Sequence, residues 1–355
     1  MKNNQWIVYM AGILLLLGLA LWVPGHVHFQ WSVFREQLQH VVWWRIVAAI
    51  ALIFAGYVLR AVRWAMLIKP QKTVRWTSLL GSQIIGFTAV AIFGRLADLV
   101  RPYLVSRRTQ LSLSSQIAVY TVERIMDAGA MAVIFSLILL FTPDRATLPH
   151  HEAVRKLVLT GLATLVLGVI VIRVKAFGEA AARLAEKGIG TFSSKLGDAI
   201  GNKIRMFRES LNVIRSFGDF VMIGTSSLLM WAMITWAYLE TVHAFVLSPQ
   251  LASMTLGRCL VLMAASMAGS VVQLPVIGWF TQIAATAGAM EKLLGVAVEP
   301  ALGCGAMLLI VSFMCVIPFG LIWARVEHVS LKKVSEESEL LVAEEAGESV
   351  APTAG

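Results

Sequence analysis

The chain has 355 residues, of which 58% are hydrophobic and only 14% charged, against about 25% charged in ordinary soluble domains; its mean hydropathy is +0.75. A water-soluble fold must present a polar exterior, and this composition holds too little polar surface to make one, so soluble, disordered and coiled-coil classes are excluded and an all-α integral membrane protein is expected. The 30 Lys+Arg against 21 Asp+Glu give a net charge of +9, which in a membrane protein reports orientation by the positive-inside rule rather than nucleic-acid binding.

In chain order, the first apolar run extends from Trp6 to Val23 behind Met-Lys-Asn-Asn. It is longer than a signal-peptide core and has no small-x-small cleavage site, so it reads as an uncleaved span. Further apolar stretches occupy 46–68, 77–93, 115–141, 157–172, 220–246, 259–272, 280–294 and 300–323. Two of them are interrupted. The stretch 77–93 breaks at Gly94 and continues as Arg95-Leu-Ala-Asp98-Leu-Val-Arg101-Pro102; the stretch 259–272 breaks at Gln273-Leu-Pro275-Val-Ile-Gly278.

Counting basic residues decides how the first break is threaded. If 77–108 dips in and returns to the same side, Arg60, Arg63, Lys69, Lys72, Arg75, Arg101, Arg107 and Arg108 share the cytoplasmic face with the basic linker 173–219 and with Arg325, Lys332 and Lys333. A full crossing would carry Arg101, Arg107, Arg108 and the linker outside, against the rule. The expected architecture is therefore about eight transmembrane helices plus broken or re-entrant segments, with both termini cytoplasmic, in the cytoplasmic (inner) membrane. One break in each half also fits an inverted repeat. For the second break, a proline kink in an ordinary span is the alternative.

Within 173–219, Ile200, Ile204, Phe207, Leu211 and Ile214 fall on one helical face, while Lys203, Arg205, Arg208 and Arg215 fall on others. This pattern predicts a basic amphipathic helix on the membrane surface, attracted to anionic lipid by about 1 kcal/mol per basic residue; a soluble helical hairpin is the alternative. Residues 1–330 form one polytopic domain, and 331–355 form an acidic tail expected to be disordered. Cys259, Cys304 and Cys315 lie in apolar runs without CxxC spacing, and His26, His28, His150 and His151 lie in short loops. No metal centre, disulfide framework or cofactor is expected from them. Nucleotide, dinucleotide and hydrolase motifs do not occur, so the chain is not expected to be an enzyme.

Ionisable residues inside spans cost a few kcal/mol each and are functional candidates by default. Three groups stand out: Arg60 and Arg63; Arg95, Asp98 and Arg101; and Glu123, Arg124 and Asp127. If all eight converge, three ion pairs leave a surplus of two positive charges, suited to a phosphate or similar anion. Snorkelling of Arg60, Arg63 and Arg101 to the interface is the competing account for those three. A purely structural ion-pair network competes for Glu123, Arg124 and Asp127.

The runs Tyr57-Val-Leu-Arg60-Ala-Val-Arg63-Trp64, Gly94-Arg95-Leu-Ala-Asp98-Leu-Val-Arg101-Pro102 and Val122-Glu123-Arg124-Ile-Met-Asp127 resemble three ordered motifs of the lysylphosphatidylglycerol synthase transmembrane (flippase-like) family. The resemblance covers about residues 5–325 and implies a polytopic domain that moves polar lipids between leaflets, the charged motif residues lining the headgroup pathway. Two departures accompany it. The family's PGGxGxxE-like turn reads here Pro275-Val-Ile-Gly278-Trp-Phe-Thr281-Gln282, without the glutamate, and 300–323 holds no arginine before Arg325. The aminoacyl-transferring domain of the synthases is absent from the sequence, so lysine transfer to lipid is not expected.

The expected function is binding and translocation of a polar-headed, anionic or phosphate-bearing membrane lipid. Its expected site residues are Arg60, Arg63, Arg95, Asp98, Arg101, Glu123, Arg124, Asp127, Pro275 and Gly278. The alternatives are a membrane scaffold for lipid or glycolipid biosynthesis, and an enzyme modifying lipid headgroups with Glu123 or Asp127 as acid or base.

Overall fold

The computed structural model describes residues 29–141, 159, 183, 217–270, 277–331, 333, 334 and 337. The first expected span, nearly all of the 173–219 linker, Pro275 and most of the acidic tail lie outside the described residues. Among the described residues there is helix but no strand. The elements are α1 (Trp31–Gln39), α2 (Trp43–Ile68), α3 (Trp76–Phe93), a 3-10 turn (Gly94–Leu99), α4 (Val100–Thr109), α5 (Leu113–Phe141), α6 (Phe217–His243), α7 (Pro249–Ala252), α8 (Leu256–Gly269), α9 (Ile277–Leu294), α10 (Val298–Leu309), a π-helical turn (Ile310–Met314) and α11 (Val316–Val326).

Among the described residues, four segments are long and apolar enough to cross a bilayer: Trp43–Ile68, Trp76–Phe93, Gly218–His243 and Val298–Val326. At about 1.5 Å per residue, the 26 residues of α2 outreach a hydrocarbon core of about 30 Å. The outward faces stay apolar. On α11, Val316, Gly320 and Ala324 are buried at intervals of one turn, while Phe319, Ile322 and Val326 are 53%, 65% and 71% exposed. A helix greasy on its outer face has lipid as its solvent. The π-helical turn in this last rod has a cause in the sequence: Pro318 has no N–H for the carbonyl of Met314, where the turn ends.

The described residues group into two units. One comprises the chain up to Ala49 together with Tyr238–Val311; the other comprises Ile50–Ala237 together with the chain from Ser312 onward. Each contains one interrupted segment, and in each the interruption is a helix pair folding back on itself.

In the second unit, α3 stops because Gly94 takes φ 77°, ψ −160°, a region open only to glycine. The 3-10 turn then reverses the chain, and the 10 residues of α4 run back along α3. Ten helical residues span about 15 Å, half of a hydrocarbon core. Ile85 and Ala89 of α3 pack there against Val100 and Leu104 of α4, with Ala324 of α11 in the same cluster. A second cluster joins Trp64 and Leu67 of α2 to Leu79, Val105, Val122 and Ile223.

In the first unit, the 14 residues of α8 fold back on α9 across a contact that only a small residue permits. A Cβ on Gly269 would sit 2.7 Å from Ala285 Cβ and 2.8 Å from the Thr281 carbonyl oxygen. Gly303 of α10 is less confined: a Cβ there would lie 3.4 Å from the rings of Phe34 of α1 and Phe245. Gly295 ends α9 at φ 67°, with the Val296 N–H donating to the Met290 carbonyl oxygen at 3.0 Å, a left-handed helix stop.

Packing of α11 on α3 gives a direct stability prediction. A methyl group on Gly320 would overlap Thr88 Oγ1 and Cβ, and Thr88 is itself buried and donates to the Val316 carbonyl oxygen at 3.2 Å. Gly320→Ala is expected to destabilise by about 1–3 kcal/mol. Gly224→Ala, where a Cβ meets nothing within 4 Å, is expected to be neutral or slightly stabilising because alanine favours helix. Thermal unfolding of both variants in one detergent checks the contrast.

Candidate functional site

Five charged residues of the second unit converge on a buried cluster built from α2, α4 and α5. Arg60 and Arg63 lie one turn apart on α2, and Glu123 and Asp127 lie one turn apart on α5, so the two pairs meet as rungs. Arg60 Nη1 reaches Glu123 Oε1 at 3.1 Å and Asp127 Oδ2 at 3.4 Å. Arg63 Nη2 reaches Glu123 Oε1 at 2.8 Å, and its Nη1 pairs with Asp127 Oδ1 and donates to Ser227 Oγ of α6 at 2.6 Å. Arg63, Glu123 and Asp127 are 1%, 1% and 3% exposed. Arg60, at 9%, also lies over the Phe87 ring, 4.9 Å from its centroid.

Arg101 joins from α4 on different terms. Its Nη1 meets Glu123 Oε1 at 3.3 Å, an oxygen already shared by two other arginines, and Gln83 Oε1 of α3 at 3.4 Å. The guanidinium is fully buried and lies 4.4 Å from the Phe87 ring centroid, 5.1 Å from Tyr120 and 5.8 Å from Trp64. This aromatic surround stabilises a cation by its ring quadrupoles. Its Nε and Nη2 have no hydrogen-bond partner among the described residues, and neither do Gln83 Nε2 and Glu123 Oε2. Nε–H and the adjacent Nη2–H form one edge of the guanidinium, the fork that matches two oxygens of a carboxylate or phosphate. Gly86 makes room for the shaft: a Cβ there would overlap Arg101 Cγ.

Among the described side chains, five of the eight candidates are buried together: Arg60, Arg63 and Arg101 against Glu123 and Asp127. These five carry a surplus of one positive charge. Arg124 is exposed, with its guanidinium 4.9 Å from the Tyr120 centroid, because one residue along a helix turns the side chain by about 100° from the Glu123 face. Asp98 is half-buried in the 3-10 turn, and the side chain of Arg95 lies outside the described residues. Burial of Arg60, Arg63 and Arg101 also replaces the snorkelling account: ion pairs and rings hold them inside the unit.

Gly278 is buried in the first turn of α9, in the other unit. The polar residues near it close the helix pair. Thr281 Oγ1 donates to the Gly269 carbonyl oxygen at 3.0 Å, and Gln282 Nε2 donates to Ser266 Oγ at 2.9 Å, which lies 3.0 Å from the Tyr238 hydroxyl. Sequence reasoning missed Gln83 and Ser227. Gln83 carries a usable signal, an amide in the middle of an apolar run with Gly86 and Phe87 on the same face. Ser227 carries none, since serines are common in apolar helices.

A family model described as the lysylphosphatidylglycerol synthase TM region matches residues 9–320. No curated protein and no solved structure matches the chain. The matched region covers most of the chain and all three charged motifs, as well as the four bilayer-length helices up to Gly320. This multi-pass membrane protein thus belongs to the lysylphosphatidylglycerol synthase transmembrane-region family.

Proposed function

We propose that this protein binds a polar-headed, phosphate-bearing lipid and moves it between leaflets of the cytoplasmic membrane, without altering it covalently. The observation carrying this is the free Nε/Nη2 edge of a fully buried Arg101. A buried donor without a partner costs about 1–3 kcal/mol, and more when it carries charge. A phosphate oxygen pair would satisfy both donors and neutralise the cluster's one surplus charge.

The other four charged residues have a different task. Arg60, Arg63, Glu123 and Asp127 balance one another and fix α2 against α5, which holds Glu123 where Arg101 meets it. Arg101 sits on the short fold-back helix α4, and transport requires a second conformation in which α4 parts from α3 and uncovers the guanidinium. Discontinuous segments play this part in other transporters.

The test is a leaflet-resolved assay in proteoliposomes containing a headgroup-labelled phospholipid. Exchange at least tenfold faster than in empty vesicles, with the lipid recovered intact, is the expected result. Exchange equal to that of empty vesicles would leave the scaffold role, and a chemically altered headgroup would establish the enzyme instead.

A further inference from the structure

Away from the buried cluster, the C-terminal end of α4 and the chain following α11 enclose a cavity of about 440 Å³. Leu104 and Ser82 line it together with Arg107, Arg108, Lys333 and the carboxylates of Glu327 and Glu337. Its charges are arranged unequally. Arg108 Nη1 is tied to Glu327 Oε1 at 2.6 Å, and the same oxygen accepts from Trp323 Nε1 at 3.0 Å. That pair is a fixed wall.

Glu337 is held differently. Its Oε2 accepts from the Tyr103 hydroxyl at 2.5 Å, but Arg107 Nη1 stands 3.7 Å from it and Lys333 Nζ stands 3.8 Å from Oε1. Arg107 donates instead to the Tyr103 hydroxyl at 3.1 Å. Three donor groups thus face one carboxylate that reaches only one of them within hydrogen-bond distance. Arg107 and Lys333 are 67% and 75% exposed and Glu337 34%, so an outside ligand reaches the place without rearrangement of the helices. With the Glu337 carboxylate withdrawn, Arg107, Arg108 and Lys333 would face, among the described lining residues, one carboxylate, that of Glu327.

We propose that this cavity is a second anion site, in which a phosphate group displaces the Glu337 carboxylate and is bound by Tyr103, Arg107 and Lys333. A phosphate presents three oxygens around a larger centre than a carboxylate, and so spans the distances that Glu337 leaves open. The site goes beyond the lipid path proposed above, since it shares no residue with the buried cluster. The phosphate is either that of a lipid headgroup or that of a soluble ion.

Binding to the purified full-length protein in a nonionic detergent separates these. The probes are inorganic phosphate and micellar dioctanoyl phosphatidic acid, titrated by thermophoresis. Glu337→Gln is expected to tighten binding at least threefold, and Arg107→Gln with Lys333→Gln to weaken it at least tenfold, with unchanged thermal midpoints. Equal affinity for both probes assigns the site to phosphate itself; binding of the lipid alone, with the same variant pattern, assigns it to a headgroup. Among the described contacts, none of Glu337, Arg107 and Lys333 touches the buried cluster, so the response of binding to these variants reads this cavity alone and the two sites stand or fall separately. Affinity unmoved by Glu337→Gln and by the double variant would overturn the proposal.

Discussion

Glu123→Gln is expected to lower stability by about 3–5 kcal/mol, the usual consequence of removing one partner from a buried ion pair. Glu123 Oε1 is the common contact of Arg60, Arg63 and Arg101, and the substitution keeps the shape while removing the charge. Three buried guanidinium groups would then face Asp127 alone, and the surplus would rise from one positive charge to two. Part of this loss is expected to return when Arg101 is also replaced: Glu123→Gln with Arg101→Leu restores the surplus to one. The double variant is therefore expected to be more stable than Glu123→Gln alone, a coupling of about 1–3 kcal/mol for groups in one network. Unfolding in detergent of the four proteins of this cycle measures it.

The second large effect is on function. Arg101→Leu is expected to reduce lipid exchange to the empty-vesicle rate while changing stability by no more than about 1 kcal/mol, because an ion in poor geometry is replaced by an apolar side chain in an apolar surround. Its one carboxylate contact is long, at 3.3 Å, and its neighbours are the rings of Phe87, Tyr120 and Trp64. Loss of Arg60 or Arg63 would act the other way, taking fold and function together, since both are bound to Glu123 and Asp127. Arg101→Lys keeps the charge and loses the two-donor edge. Its exchange rate is expected to fall between wild type and Arg101→Leu, and the same assay reads it.

Much of this site was legible in the sequence because helix geometry is simple. Charges three or four apart share a face, so Arg60 with Arg63 and Glu123 with Asp127 declared themselves as rungs. Gly94 marked the end of α3, and its φ of 77° shows why no other residue serves there. The basic-residue balance likewise pointed to a return to the same side, and α4 does run back along α3. What the sequence left hidden depends on packing between helices. Arg124 follows Glu123 directly yet is exposed, a difference that the motif spacing by itself does not show. Gln83 accepts from Arg101 Nη1, and Ser227 accepts from Arg63 Nη1 across 164 residues of chain, contacts that no local spacing reveals. The free edge of Arg101 emerges only once every neighbour is in place, since it is defined by which donors have no acceptor. At the second break, the hydrogen bonds of Thr281 and Gln282 close α8 onto α9, a pairing that only the folded helices bring together.

The central claim is that Arg101 meets the lipid phosphate. Its most direct measurement is leaflet exchange by wild type and Arg101→Leu in matched proteoliposomes, with one labelled lipid carrying a headgroup phosphate and another, of the same chains, carrying an uncharged sugar headgroup. The account predicts that wild type accelerates the phosphate-bearing lipid well above the sugar lipid, and that Arg101→Leu abolishes the difference with an unchanged thermal midpoint. Undiminished phosphate-selective exchange by the folded Arg101→Leu protein would contradict it.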